Sequence, residues 1–79
     1  MNEKDIKKII RSWFKKKKII IEDKDNLLKD EILDSFDIID FISNLEKNFA
    51  IKFSTNELQN TNILSINNLT KVIKNKIDE

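Results

Sequence analysis

Cysteine, histidine, glycine and proline are all missing from this chain of 79 residues. Without cysteine there is no disulfide framework and no metal–thiolate site. Without histidine the commonest general base and the commonest metal ligand are gone. Most hydrolytic and nucleophilic mechanisms then lack their usual parts, so neither catalysis by the chain alone nor a resident metal is expected. The absence of glycine excludes a Gly-rich phosphate cradle and a dinucleotide-binding fingerprint. A chain with neither glycine nor proline fits an all-α fold, which needs few left-handed or kinked positions. The apolar runs are too short to span a membrane and no secretory signal is visible. A cytoplasmic protein with no membrane span is the expectation.

Length bounds the rest. Seventy-nine residues make one domain, 1–79, with a core just large enough for marginal stability. Ile, Asn and Lys are abundant, a compositional bias to which little functional weight attaches. The formal net charge of +1 hides a dipolar layout. Residues 1–21 hold eight basic and two acidic side chains, residues 22–46 hold nine acidic and two basic, and residues 47–79 hold five basic and three acidic.

Hydrophobic spacing sets out the helices. Ile6, Ile9, Ile10, Trp13 and Phe14 recur at helical intervals and predict a first helix over about 3–17. Asn2 is its expected cap, with Glu3 and Asp5 at the positive end and Lys15–Lys18 at the negative end. Ile19-Ile20-Ile21 could extend it briefly before the polar stretch Glu22–Asn26. A long first loop follows, with Leu27, Leu28, Ile32 and Leu33 as its apolar positions. Such a loop is unusual in a small domain unless it packs or serves function. The second helix is expected over 35–49, capped by Asp34 or Ser35. At about 100° per residue, Ile38, Ile39, Phe41, Ile42, Leu45 and Phe49 share one broad face. Phe36 falls opposite, with Asp37, Asp40, Ser43 and Lys47. Ser54-x-x-Glu57 reads as a capping box for a short third helix. Ser65 is placed to cap a last helix with the stripe Leu69, Val72, Ile73 and Ile77. The expected architecture is a small antiparallel helical bundle of three longer helices and one short one.

A serine at a helix start, beside an outward aromatic and acidic neighbours, points to a modified, partner-facing site. The stretch Ile32-Leu33-Asp34-Ser35-Phe36-Asp37 resembles the prosthetic-group motif of acyl carrier proteins, where an Asp-Ser-Leu-like triplet opens the second helix. The likeness continues through Leu45-Glu46-Lys47-Asn48-Phe49, Ile51-Lys52-Phe53 and the capped segment Ser54-Thr55-Asn56-Glu57-Leu58. It ends in the core pattern Leu69-Thr70-Lys71-Val72-Ile73, and so spans nearly the whole chain.

The resemblance implies that Ser35 is esterified with the 4′-phosphopantetheine of coenzyme A by a magnesium-dependent phosphopantetheinyl transferase. The terminal thiol would carry an acyl or aminoacyl group as a thioester. An acyl- or aminoacyl-loading ligase and downstream acyl-transfer enzymes would be the other partners, meeting a monomeric carrier. Asp34, Phe36, Asp37 and Asp40 would form the docking surface, Phe36 as an apolar contact and the aspartates as orienting charges. Glu46 is a weaker candidate for the same role, and Lys47 interrupts the acidic pattern. Phe41, Ile42, Phe49, Phe53 and Ile63 are expected as core, or as shelter for a bound chain. Leu33 stands where many fatty-acid carriers have glycine. The form Ile-Leu-Asp-Ser-Phe looks closer to discrete carriers of dedicated pathways, the D-alanyl carrier type among them, and the cargo stays open.

Two other roles are compatible with these residues. The same bundle without modification would be an interaction module, an adaptor or subunit using the Phe36 patch. The cluster Lys15–Lys18 could form a nucleic-acid patch. Its companion aromatics Trp13 and Phe14 lie on the apolar stripe, however, so a basic helix end favoured by the macrodipole is the better account. No nucleic-acid partner is expected.

Overall fold

The computed structural model describes residues 1–78, and every regular element among them is helical. Four α-helices follow one another: α1 over Glu3–Lys16, α2 over Ser35–Phe49, α3 over Thr55–Gln59 and α4 over Ile66–Ile77. A 3₁₀ turn over Thr61–Ile63, which periodicity did not reveal, joins α3 to α4. No helix among the described residues is long and apolar enough to cross a membrane.

Side-chain oxygens start each α-helix. Asn2 accepts from the Asp5 amide at 2.9 Å, and Ser65 from the Asn68 amide at 3.1 Å. Ser54 and Glu57 form the reciprocal capping box expected of them. Each such cap satisfies amides that the first helical turn leaves without partners.

The helix ends differ from expectation. The missing glycines implied few left-handed residues, yet Lys18, Glu31 and Ala50 have φ of 60°, 56° and 53°. Lys18 ends α1: its amide reaches Lys15 O while the Ile19 amide reaches back to Phe14 O at 3.0 Å, a Schellman closure. α1 therefore stops at Lys16, and Ile19–Ile21 do not prolong it. Of those three, Ile20 is wholly exposed and Ile21 buried. Ala50 ends α2 with its amide on Glu46 O. The carbonyls left open by each helix end take bonds that only a left-handed residue can direct, which outweighs the steric cost to Lys18 and Ala50.

The core lies where α1, α2 and α4 meet. Ile6 and Ile10 of α1, Phe41 and Leu45 of α2, and Ile66, Leu69 and Ile73 of α4 are fully buried. α1 packs most extensively on α4. Trp13, Phe14 and Phe41 form an aromatic trio with ring centroids 4.9 to 5.1 Å apart, in the tilted and edge-on geometries that suit ring quadrupoles.

The long loop before α2 packs rather than dangles. Leu27 and Leu33 are buried, while Leu28 stays partly exposed. The Leu27 amide donates to Leu64 O at 2.7 Å, and Asn26 Nδ2 donates to Thr61 O at 2.8 Å. At the other end Asp23 pairs with Arg11 at 2.9 Å and with Lys7 at 3.2 Å, and its carbonyl accepts the Asn67 amide. These ties to α1, α4 and the 3₁₀ turn fix where the loop delivers Asp34 and Ser35.

Candidate functional site

The N-terminus of α2 gathers the candidate residues. Asp34, Ser35, Phe36, Asp37 and Asp40 are all exposed, and one helix start brings them together. The cap is Asp34 and not Ser35: its Oδ1 accepts the Asp37 amide at 2.8 Å, and its carbonyl accepts the Ile38 amide at 3.0 Å. Ser35 is thus the first helical residue, and its hydroxyl is not spent on the cap.

Phe36 is 83 % exposed, as the periodicity indicated. Ile39 is not on the buried face, where the spacing had put it: it is 64 % exposed. The buried arc of α2 is narrower than expected, because the short α3 and the 3₁₀ turn do not cover its whole flank. Phe36 and Ile39, three residues apart, are neighbours on the helix surface and form one apolar patch beside Ser35.

One hollow adjoins the serine and a second lies a turn further along α2. One of about 400 Å³ is lined by Leu28, Glu31, Leu33, Asp34 and Ser35 itself. The other, about 260 Å³, lies between α2 and the α3 side, with Ile38, Ile39, Ile42, Leu58 and Leu64 as its apolar walls and Ser43 and Glu46 at its rim. Of the residues expected as core or shelter, Ile42 alone lines this cleft, while Phe41, Phe49 and Phe53 are buried in the core and Ile63 packs against it. Leu58 and Leu64 were missed because a cleft between elements distant in sequence leaves no periodic trace. Glu46 proves structural as well: its Oε2 accepts the Phe53 amide at 2.9 Å and pins the chain leaving α2.

The site therefore offers an accessible hydroxyl on a capped helix start, flanked by an apolar patch and carboxylates. Among the described residues no cluster of carboxylates could hold a metal ion. An exposed hydroxyl held rigidly at a helix N-terminus suits a phosphodiester, which gains from the unpaired amides and the positive end of the helix dipole. The family model for the phosphopantetheine attachment site matches residues 4–70.

The chain belongs to the phosphopantetheine attachment site family. The match takes in α1, α2, α3 and the start of α4. Domains of this family are non-catalytic carriers, and 4′-phosphopantetheine is their covalent cofactor. Comparison with curated proteins and with solved structures gives no match. The residues at the start of α2 fit the family's cofactor. Ser35 supplies a free hydroxyl, and the hollow beside it leaves room for an attached arm.

Proposed function

We propose that Ser35 carries 4′-phosphopantetheine, and that the protein presents an acyl or aminoacyl group to successive partner enzymes. The observation that carries this reading is the division of labour at the start of α2. Asp34 caps the helix, and Ser35, one residue on, keeps an accessible hydroxyl. When bound, the group supplies a thiol that bears its load as a thioester.

The chain's own residues present and orient. Asp34 holds the first turn in register and so fixes the direction in which the Ser35 side chain leaves the helix. A phosphopantetheinyl transferase approaches over Phe36 and Ile39, whose exposed side chains offer an apolar contact of the kind that anchors interfaces. Asp37 and Asp40 orient that approach through charge and add little affinity of their own. The loading ligase and the downstream acyl-transfer enzymes use the same surface. The small apolar cleft between α2 and α3 starts one turn from Ser35 and gives part of the load a place out of water. Fatty acyl groups, D-alanine and other amino acids are the candidate cargoes, and the carrier works in the cytoplasm beside its enzymes.

Intact mass after incubation with coenzyme A, magnesium and a broad-specificity phosphopantetheinyl transferase tests this. A gain of one phosphopantetheine that Ser35→Ala abolishes supports the carrier role. No gain on the folded protein with several transferases points instead to an unmodified interaction module built on the Phe36 patch.

A further inference from the structure

The proposed carrier role makes no use of the outer face of α1. Its buried face is Ile6, Ile10, Trp13 and Phe14. At about 100° per residue, Lys4, Lys8, Arg11 and Lys15 form a stripe on the opposite side, all exposed. Together with Lys7, Ser12 and, at one end, the single carboxylate Glu3, they border a groove of about 670 Å³. Its lining surface is mostly apolar, as the aliphatic stems of long basic side chains supply while their charged heads keep to water. Asp23 pairs with both Lys7 and Arg11 and offsets one of their two charges; Lys4, Lys8 and Lys15 stand in no ion pair among the described residues.

We propose that this groove receives the Phe36 end of α2 from a second copy of the chain. Three observations favour that occupant. The first is charge: the start of α2 is ringed by Glu31, Asp34, Asp37 and Asp40, all exposed, and so complements the lysine rim. The second is shape and chemistry. Phe36 is an 83 % exposed ring, and a groove walled by methylene stems and edged by cations suits an aromatic face. The third is the absence of net repulsion, since a formal charge of +1 and a pI near 7.9 let copies approach at neutral pH.

The two patches differ, so the contact is heterologous, and association runs head to tail. One aromatic anchor and a few screened charge pairs offset little of the lost freedom, which sets a dissociation constant on the order of 0.1–1 mM. The contact would also cover Ser35, next to Phe36, so that a self-associated chain hides its hydroxyl until a tighter-binding enzyme displaces the neighbour. Only this last consequence rests on the reading of Ser35 as the modified residue.

Sedimentation velocity on the full, unmodified chain across a concentration series tests the association. The series is run at about 0.01 M salt, where charges reach about 30 Å, and at about 1 M, where they reach about 3 Å. The weight-average sedimentation coefficient should rise with concentration at low salt, with affinity at least about tenfold weaker at high salt. Phe36→Ala, and the double variants Lys8→Glu with Lys15→Glu and Asp37→Lys with Asp40→Lys, should each stay monomeric while keeping the parent's helical circular dichroism. Mixing the two charge-reversed variants should restore a complex that neither forms alone. Ser35→Ala should associate like the parent, which separates this result from that of the mass experiment. A parent chain that stays monomeric throughout overturns the proposal, as does a mixture with no complex. Parallel titrations use single-stranded oligonucleotide and anionic lipid vesicles. Binding that the Lys8 and Lys15 reversals abolish, with the chain monomeric, would assign the groove to that polyanion instead.

Discussion

Lys76 of α4 places its ammonium 2.8 Å from Glu57 Oε1, at the start of α3. The same oxygen accepts the Ser54 amide at 2.7 Å, and Lys76 lies 5.5 Å from the centroid of the Phe53 ring. One carboxylate thus caps α3 and ties it to α4. A helix of five residues has no stability of its own, so ties of this kind decide where α3 sits. Through Leu58, α3 forms one wall of the cleft beside Ser35.

The tie should titrate. The Lys76 bond, and next the Ser54 amide, hold the Glu57 carboxyl below its ordinary value of 4.5. A carboxyl depressed in the folded state stabilises fully above its unfolded value, and that contribution is lost as pH falls through the folded one. Lys76→Met should cost about 0.5 kcal/mol at neutral pH, in the range for partly exposed ion pairs, and almost nothing once Glu57 is protonated. Urea denaturation at about pH 7 and at successively lower pH follows the loss, which should shrink as Glu57 takes up its proton. A loss that stays constant throughout that acid range would contradict the pairing. Glu57→Gln should keep the capping box, whereas Glu57→Ala should cost about 1 kcal/mol more.

The cap of α2 should matter for stability and modification together. Asp34→Ala removes the acceptor for the Asp37 amide and should cost about 1 kcal/mol, while Asp34→Asn should cost only a few tenths. Fraying of the first turn would also blur the position of Ser35. Phosphopantetheine loading, followed by mass, should slow in the alanine variant and slow much less in the asparagine variant.

Phe36 and Phe41 should behave as opposites. Phe36→Ala strips an exposed ring and should change stability by less than about 0.5 kcal/mol, yet slow loading by the transferase. Phe41 is fully buried against Trp13 and Phe14. Phe41→Ala should cost about 3–5 kcal/mol, enough to unfold much of a domain this small. Thermal melts beside loading rates would show the contrast, and a large stability loss in Phe36→Ala would overturn it.

Ala50 offers a gain. With φ of 53°, it bears the left-handed strain that closes α2. Ala50→Gly should stabilise the fold by about 0.5–1 kcal/mol, the relieved strain less the added chain entropy. A lower denaturation midpoint would contradict this.

The sequence by itself determined the helices, all but one of their N-terminal caps and the placing of the serine at a helix start; between Asp34 and Ser35 as the cap of α2 the structure decided for Asp34. Asn2, Ser54 and Ser65 cap where their local patterns put them, because capping depends on atoms within three residues of one another. Ser35, Phe36, Asp37 and Asp40 share an exposed helix start for the same local reason. Tertiary structure decided what depends on contacts between distant segments. It buried Ile21 while exposing Ile20, and folded the loop after α1 back through Asp23 and Leu27. It left Ile39 exposed beside Phe36, although its spacing had marked it as core. Periodicity records the direction a side chain faces; whether another element covers it depends on the reach of chain remote in sequence. Here that chain is the short α3, held in place by Glu57 and Lys76.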